Sequence, residues 1–260
     1  MDILLGLPAL SHCCWSGVMK KAAVQVTGLN FSYPDKTQVL KNINFSLGEG
    51  ESLGIIGPNG AGKSTLLLHL NGVLKQDGGV QIFGEPIKKQ NIKTIRKKVG
   101  MVFQDPNDQL FMPTVFDDVA FGPLNLGMDR DKIIIKVKDI LERLGLSGLE
   151  EKNPSHLSLG ERKKVSLATV LVLEPQILVL DEPTANLDPG SKKSFINTLK
   201  NIQKTKIIAS HDMDSIFYLC GRIILMNKGK IAAQGKANHI LRDKNLLEAN
   251  NLELPSQLRS

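Results

Sequence analysis

The sequence predicts an α/β fold: a mostly parallel core sheet, an antiparallel β layer ahead of it, and a helical subdomain inserted in the middle. Three observations carry this. Residues 51–56, with the apolar Leu53, Ile55 and Ile56, form a short strand that runs into Gly57-Pro58-Asn59-Gly60-Ala61-Gly62-Lys63-Ser64-Thr65, and a helix-like apolar run, Leu66-Leu67-Leu68-His69-Leu70, comes next. Farther on, Ile177-Leu178-Val179-Leu180 is continuously apolar, as a strand buried on both faces of a parallel sheet must be. Between them, residues 105–173 change texture from β-like to helical.

Taken in order, residues 1–18 look unlike the rest of the chain, and Met19-Lys20-Lys21 would be a natural start; the first 18 residues are expected to be a loosely attached extension or a mis-assigned start. Val24-Gln25-Val26 alternates as a strand. Residues 29–33 and 39–47 continue the β pattern around the turn residues Pro34-Asp35-Lys36. Gly78-Gly79 turns into a strand over 80–83, and residues 99–103 form another that ends at Gln104. The densest basic run, residues 88–98, reads as a solvated face. Asp129 caps a helix through Ile133, Val137, Ile140, Leu141 and Leu144 that stops at Gly145, and Ser158 caps a second through Val165, Leu167 and Leu171. The α/β rhythm resumes with a helix from about Pro189 to Lys204, a strand over 206–210 and a short helix over 213–219. A hairpin over 223–226 and 230–234 then turns at Lys228-Gly229. No repeat is visible, so there is one nucleotide-binding unit, over about 19–242. The tail, 243–260, with Leu246, Leu247, Leu252 and Leu254 among polar residues, is either a small docking element or frayed.

Composition narrows the class. With 42% hydrophobic and 23% charged residues, 260 residues can bury a sizeable core as one large domain with an inserted subdomain. No apolar run approaches the ~20 residues of a membrane span. Residues 3–10 are too short for one, and Asp2 stands where a secretory signal wants Lys or Arg. Cys13, Cys14 and Cys220 suggest neither a disulfide framework nor a zinc spacing, which fits a reducing cytoplasm. The net charge of +7 fits nucleic acid, an acidic membrane surface or a nucleotide. No basic stretch is interleaved with aromatics, so nucleic acid is not expected as a partner.

The chemistry starts in the Gly57–Thr65 loop, which fits the phosphate-loop pattern G-x-x-x-x-G-K-[ST] at every required position and in the required strand–loop–helix context. Its glycines let backbone N–H groups point inward at a phosphate chain, and the helix after it adds the positive end of its dipole. Lys63 supplies a charge for the β- and γ-phosphates, and the Ser64 hydroxyl can hold Mg²⁺. Asp181 and Glu182 close the buried strand, where adjacent carboxylates are costly unless used. Asp181 suits a Mg²⁺ ligand, and Glu182 suits a base that takes a proton from attacking water. Gln104, at a strand tip, can reach Mg²⁺ or that water. His211 ends another expected core strand, where a structural and a functional reading stand about even. Ser158, with Glu161 three residues on, reads first as a capping box and second as an anion site.

Together these motifs, in the chain order phosphate loop, Gln104, Ser158 helix start, Asp181-Glu182 strand, Asn186-Leu187-Asp188 and His211, resemble the ATP-binding subunit of an ABC transporter, over roughly residues 22–237. The resemblance implies a P-loop NTPase core that hydrolyses ATP with Mg²⁺. It implies that Tyr33 stacks on adenine and that Ser158, Gly160 and Glu161 belong to the signature motif, which binds the γ-phosphate of ATP held by the opposite subunit. Asn186-Leu187-Asp188 would cross that interface. The chain would then work as a homodimer, or a heterodimer with a related ATPase, peripheral on the cytoplasmic side of the cell membrane under transmembrane subunits. Two departures stand out: Leu159 replaces the first Gly of Leu-Ser-Gly-Gly-Gln, and Glu161 replaces its Gln. The stretches 103–111, 117–123 and 125–127 resemble the ATPases of energy-coupling-factor (ECF) transporters, which import vitamins and transition-metal ions. The Leu157-to-Glu161 variant is similar to the cobalt and nickel branch. A DNA-repair ABC ATPase would place a long coiled coil before the signature, and no sustained heptads occur there. Retention of Lys63, Asp181, Glu182 and His211 argues against a module that binds nucleotide without turnover.

Overall fold

A computed structural model of the chain describes residues 22–74 and 79–258. The N-terminal extension, Cys13, Cys14 and Gly78 lie outside the described residues. The antiparallel layer is built from β1 (Ala22–Ser32), β2 (Gln38–Gly48), β4 (Val80–Ile82) and β5 (Glu85–Pro86), ordered β2-β1-β4-β5. The core sheet is ordered β10-β9-β3-β8-β7-β6, from β3 (Ser52–Ile56), β6 (Val99–Val102), β7 (Ile177–Asp181), β8 (Thr205–Ala209), β9 (Arg222–Asn227) and β10 (Lys230–Lys236). Its strands pair in parallel except at β9–β10. The α/β fold with a parallel core and an antiparallel layer is therefore as the sequence predicts.

The central strands are apolar throughout because each face meets its own core. Leu178 and Leu180 of β7 point into a cluster shared with the helices, whereas Ile177 and Val179 point into a cluster shared with the β layer. Ile208 against Ile207, and Ile56 against Ile55, divide in the same way. Burying each such side chain contributes about 1.5–3 kcal/mol, so the sheet acts as a rigid partition between two cores.

Between β6 and β7 lie α3 (Val115–Asn125), α4 (Arg130–Arg143) and α5 (Leu159–Leu171). Thr114, Asp129 and Ser158 cap them, each accepting from backbone N–H groups of the first turn. The other helices are α1 (Lys63–Leu70), α2 (Ile92–Lys98), α6 (Pro189–Asn201), α7 (Met213–Leu219), α8 (Ala237–Ile240) and α9 (Lys244–Ala249). Among the described residues no helix is long and apolar enough to cross a membrane.

Two expectations change, and for the tail the structure selects one of the two readings left open. The two strands expected around Val26 and Leu29 are one, β1. Its register shifts between Val26 and Leu29, where Gly28 takes a φ of +59° and donates to the Asn44 side chain at 2.7 Å. That bulge moves the buried positions from even to odd residues and imitates a strand break. The basic run of residues 88–98 is only partly a solvated face: it contains α2, which buries Ile95, and Arg96 donates to the Gly72 carbonyl at 3.2 Å. The tail is docked. Leu247 and Leu252 are buried in the helical-side core, and Ser256 donates to Asp214 through its N–H (2.7 Å) and its hydroxyl (3.0 Å).

Candidate functional site

Parallel pairing brings the C-terminal ends of β6, β7, β8 and β3 to one rim, where ligands bind in open α/β sheets. Gly57 comes directly after β3, Gln104 lies just past β6, Asp181 and Glu182 end β7, and Ser210 and His211 come after β8. A cleft of about 390 Å³ opens there, lined by the loop from Asn59 to Thr65 together with Tyr33, Val39, Gln104, Glu182 and His211.

The loop is shaped by what surrounds it. Gly57 has a φ of +152°, and a Cβ on it would lie 2.2 Å from the Met226 carbonyl oxygen. Gly62 has a φ of +98° and would meet the Val39 carbonyl and Leu40 at 3.0 Å. Only glycine fits either position, so the loop is clamped between β9 and β2. Gly62 is also the N-cap of α1, which has no acidic residue in its first turn to compete with a phosphate.

The buried Lys63 (7% exposed) curls back, donating to the carbonyls of Gly57 (2.8 Å) and Pro58 (3.3 Å) and standing 3.9 Å from Glu182 Oε1. Burial pushes its ammonium pKa down, while Glu182 and Asp181 pull it back up. Asp181 is buried, and its Oδ1 has no hydrogen-bond partner among the described residues. Burial holds its pKa above the usual carboxylate range against the Ser64 hydroxyl, which donates to it, and the Lys63 charge. A buried, half-satisfied carboxylate oxygen beside a serine hydroxyl is an oxygen donor set suited to Mg²⁺, which binds proteins through one or two such groups plus phosphate and water. The residues present therefore fit both a polyphosphate and its metal.

Glu182 takes a φ of +43°, a costly conformation for a side-chain-bearing residue. Its carboxylate is held mainly through Oε2, to which Ser210 donates at 3.0 Å and the His211 backbone N–H at 3.2 Å, with His211 Nδ1 2.9 Å away; Oε1 accepts only from the His211 N–H (3.1 Å) and keeps a free lone pair. Tyr33, 37% exposed, forms one wall of the cleft, set by an edge-on contact with Phe31 (5.0 Å) and by Thr65 Oγ1, 3.3 Å from its hydroxyl.

The structure thus brings the phosphate loop, Tyr33, Gln104, Asp181, Glu182 and His211 together. Ser158, Gly160 and Glu161 do not line this cleft. They sit exposed or half-exposed at the start of α5, where Ser158 and Glu161 form a reciprocal capping box. Asn186 and Asp188 are exposed on the loop after Glu182, and Asp188 caps α6.

Sequence reasoning missed Lys163 and Asp212. Lys163, 4% exposed, donates from α5 to the carbonyls of Gln104 (3.1 Å) and Glu182 (3.3 Å), tying the insertion to two cleft residues. Its place one turn before the buried Leu167, on the apolar face of α5, was the available signal. Asp212 accepts from Thr184 (3.0 Å) and Ser215 and pairs with Lys192 (2.7 Å). Burial alone would raise its pKa, but these donors bring it below the usual range. It therefore links the loops after Glu182 and His211 to α6 and α7.

Comparison with known proteins agrees with this geometry. A family model described as ABC transporter matches residues 40–185. The energy-coupling factor transporter ATP-binding protein EcfA of Methanothermobacter thermautotrophicus is 46% identical over 89% of this chain and 76% of its own length. EcfA of Carboxydothermus hydrogenoformans is 46% identical over 90% of this chain and 87% of its own. The solved structure of CbiO1 from Clostridium perfringens, part of the ABC transporter complex CbiONQ, superposes with a TM-score of 0.79 at 38% identity, covering 90% of this chain and 96% of that one. The chain belongs to the ABC transporter family, as an ATP-hydrolysing subunit of the ECF type.

Proposed function

We propose that this subunit powers an importer of a transition-metal ion, cobalt or nickel, across the cytoplasmic membrane, bound peripherally on its cytoplasmic side. The observation that carries the ATPase chemistry is the convergence of Lys63, Glu182 and His211 on one cleft, with Asp181 buried beside Lys63 and Ser64. Lys63 exchanges its loop carbonyls for the β- and γ-phosphates when ATP enters. Ser64 and Asp181, with Gln104 at the rim, would hold Mg²⁺, which neutralises charge on the phosphate oxygens. Glu182 Oε1 or Oε2 takes a proton from water as its oxygen attacks the γ-phosphorus and the bond to the β-phosphate oxygen breaks, leaving ADP and phosphate. His211 and Ser210 hold that carboxylate in place. Ser158 and Gly160, absent from the chain's own cleft, act on ATP bound by a second copy or a close relative.

A partner in the membrane is supported by an apolar patch on the insertion. Phe111 (63% exposed), Phe121 (41%) and Leu124 (54%) face outward, and the two phenylalanine rings meet edge to face at 4.9 Å. Gln109, which lies between Gln104 and Phe111 in the chain, accepts from Phe103 N–H (3.2 Å) and donates to the Ser166 carbonyl and the Thr169 hydroxyl of α5 (2.7 Å each). A transmembrane subunit seated on the patch would bear on residues 105–111, the segment that follows Gln104 and is tied to α5 through Gln109.

The choice of metal rests on the Leu157-to-Glu161 variant joined to the sequence around Gln104. Cells lacking the protein should accumulate less cobalt or nickel. Unchanged metal uptake with lost uptake of a vitamin such as biotin or folate would sink the metal reading and keep the ECF one.

Tyr33→Ala should weaken ATP binding by about 1–3 kcal/mol, as loss of a stacking platform does elsewhere. Tyr33→Phe should bind nearly as wild type, since the hydroxyl is engaged with Thr65. Titration with ATP and GTP checks both. A large preference for adenine would show that some group reads the base edge and that stacking is not the whole of recognition.

A further inference from the structure

We infer that Glu161 sets the ATP concentration at which two chains close on nucleotide, by holding the one hydroxyl proton of Ser158 that a phosphate needs. This rests on the reading in which Ser158 acts on ATP held by a second chain. The Ser158 hydroxyl has one hydrogen to give and two lone pairs. It donates that hydrogen to Glu161 Oε2 at 2.7 Å and accepts from Glu161 N–H at 3.3 Å. The same Oε2 also accepts from the Ser158 backbone N–H at 2.8 Å. Both donors of Ser158 are thus aimed at its own helix, and what remains facing outward is a lone pair, which repels a phosphate oxygen. The hydroxyl must rotate away from Glu161 before it can donate to a γ-phosphate on another chain.

The competitor is strong because it is charged: a hydrogen bond to an ionised acceptor is roughly twice as strong as one to a neutral acceptor. The Ser158 hydrogen bonds hold the Glu161 pKa below the usual carboxylate range, with Lys152 and Lys164 adding to the effect. The carboxylate therefore stays an acceptor throughout the physiological range. A glutamine at this position offers a neutral oxygen to the same two donors, keeping the cap while releasing the hydroxyl more readily. Glu161 is thus a positioning residue that keeps the signature closed on itself at low ATP.

The test uses the full chain carrying Glu182→Gln, so that closed pairs accumulate, and tracks association by sedimentation as ATP and Mg²⁺ are raised. Adding Glu161→Gln should lower the ATP concentration for half-maximal association by roughly three- to tenfold. The ATP dissociation constant of the dilute monomer should not change. Glu161→Asp, which keeps the charge but shortens the side chain by one methylene and so loosens its hold on the hydroxyl, should shift the midpoint in the same direction. Thermal melting of each variant separates these effects from loss of the cap. An unchanged midpoint in Glu161→Gln overturns the inference while leaving the two-chain reading intact. So does a shift in Glu161→Gln with none in Glu161→Asp, since that would mean charge repulsion alone. If no variant associates with ATP, the two-chain reading itself falls and the inference with it.

Discussion

Lys63→Ala should lose ATP affinity by roughly a hundredfold or more. Among the described residues Lys63 is the only lysine or arginine lining the cleft, and it already sits 7% exposed among carbonyls and carboxylates, so little solvation is left to lose when a phosphate replaces Gly57 and Pro58 as its partner. Charge-assisted hydrogen bonds contribute about 1.5–3 kcal/mol each, and two to the phosphate chain would be lost. The folded protein also loses something: with the ammonium gone, Asp181 and Glu182 face each other without their shared counter-charge. A melting curve without nucleotide separates that cost from the binding defect. Calorimetric titration giving the same dissociation constant for variant and parent would show that this loop does not hold the phosphates. A defect in melting with normal affinity would assign Lys63 to stability alone.

Most of the site was legible because its chemistry is local. Nine consecutive residues carry the loop, and Asp181-Glu182 and His211 each mark a strand end, so reading the strands placed them on one rim. The illegible parts depend on contacts far apart in the chain. Nothing near Gly57 in sequence says that Met226 forbids a side chain there. The role of Lys163 emerges only when α5 is laid across the ends of β6 and β7. Gly28 shows a different failure, in which a single bulged residue reversed the alternation and split one strand into two on paper. The tail was undecidable because its leucines lack a period of their own. Leu247 and Leu252 are ordered by a core that other elements built.

Glu182→Gln and Ser158→Arg should stop hydrolysis for opposite reasons, and the contrast is the sharpest test of the site. The glutamine keeps the size of the side chain and an oxygen for Ser210 and for the His211 N–H, so the cleft should keep its shape and ATP should still bind. It cannot take a proton from water, which should lower turnover by about 10²–10⁴-fold. With the γ-phosphate left intact, closed pairs should accumulate and sediment as dimers in ATP and Mg²⁺. Arginine at Ser158 leaves the chain's own loop untouched, because Ser158 does not line its cleft, so each monomer should bind ATP with its normal dissociation constant. Its bulk at a close phosphate approach should block closure, and the protein should sediment as a monomer at any ATP concentration. If Glu182→Gln hydrolyses ATP at the parental rate, the base lies elsewhere in the cleft, with His211 the next group to test. If a correctly folded Ser158→Arg keeps that rate, hydrolysis is completed within one chain and the exposed start of α5 has no part in it.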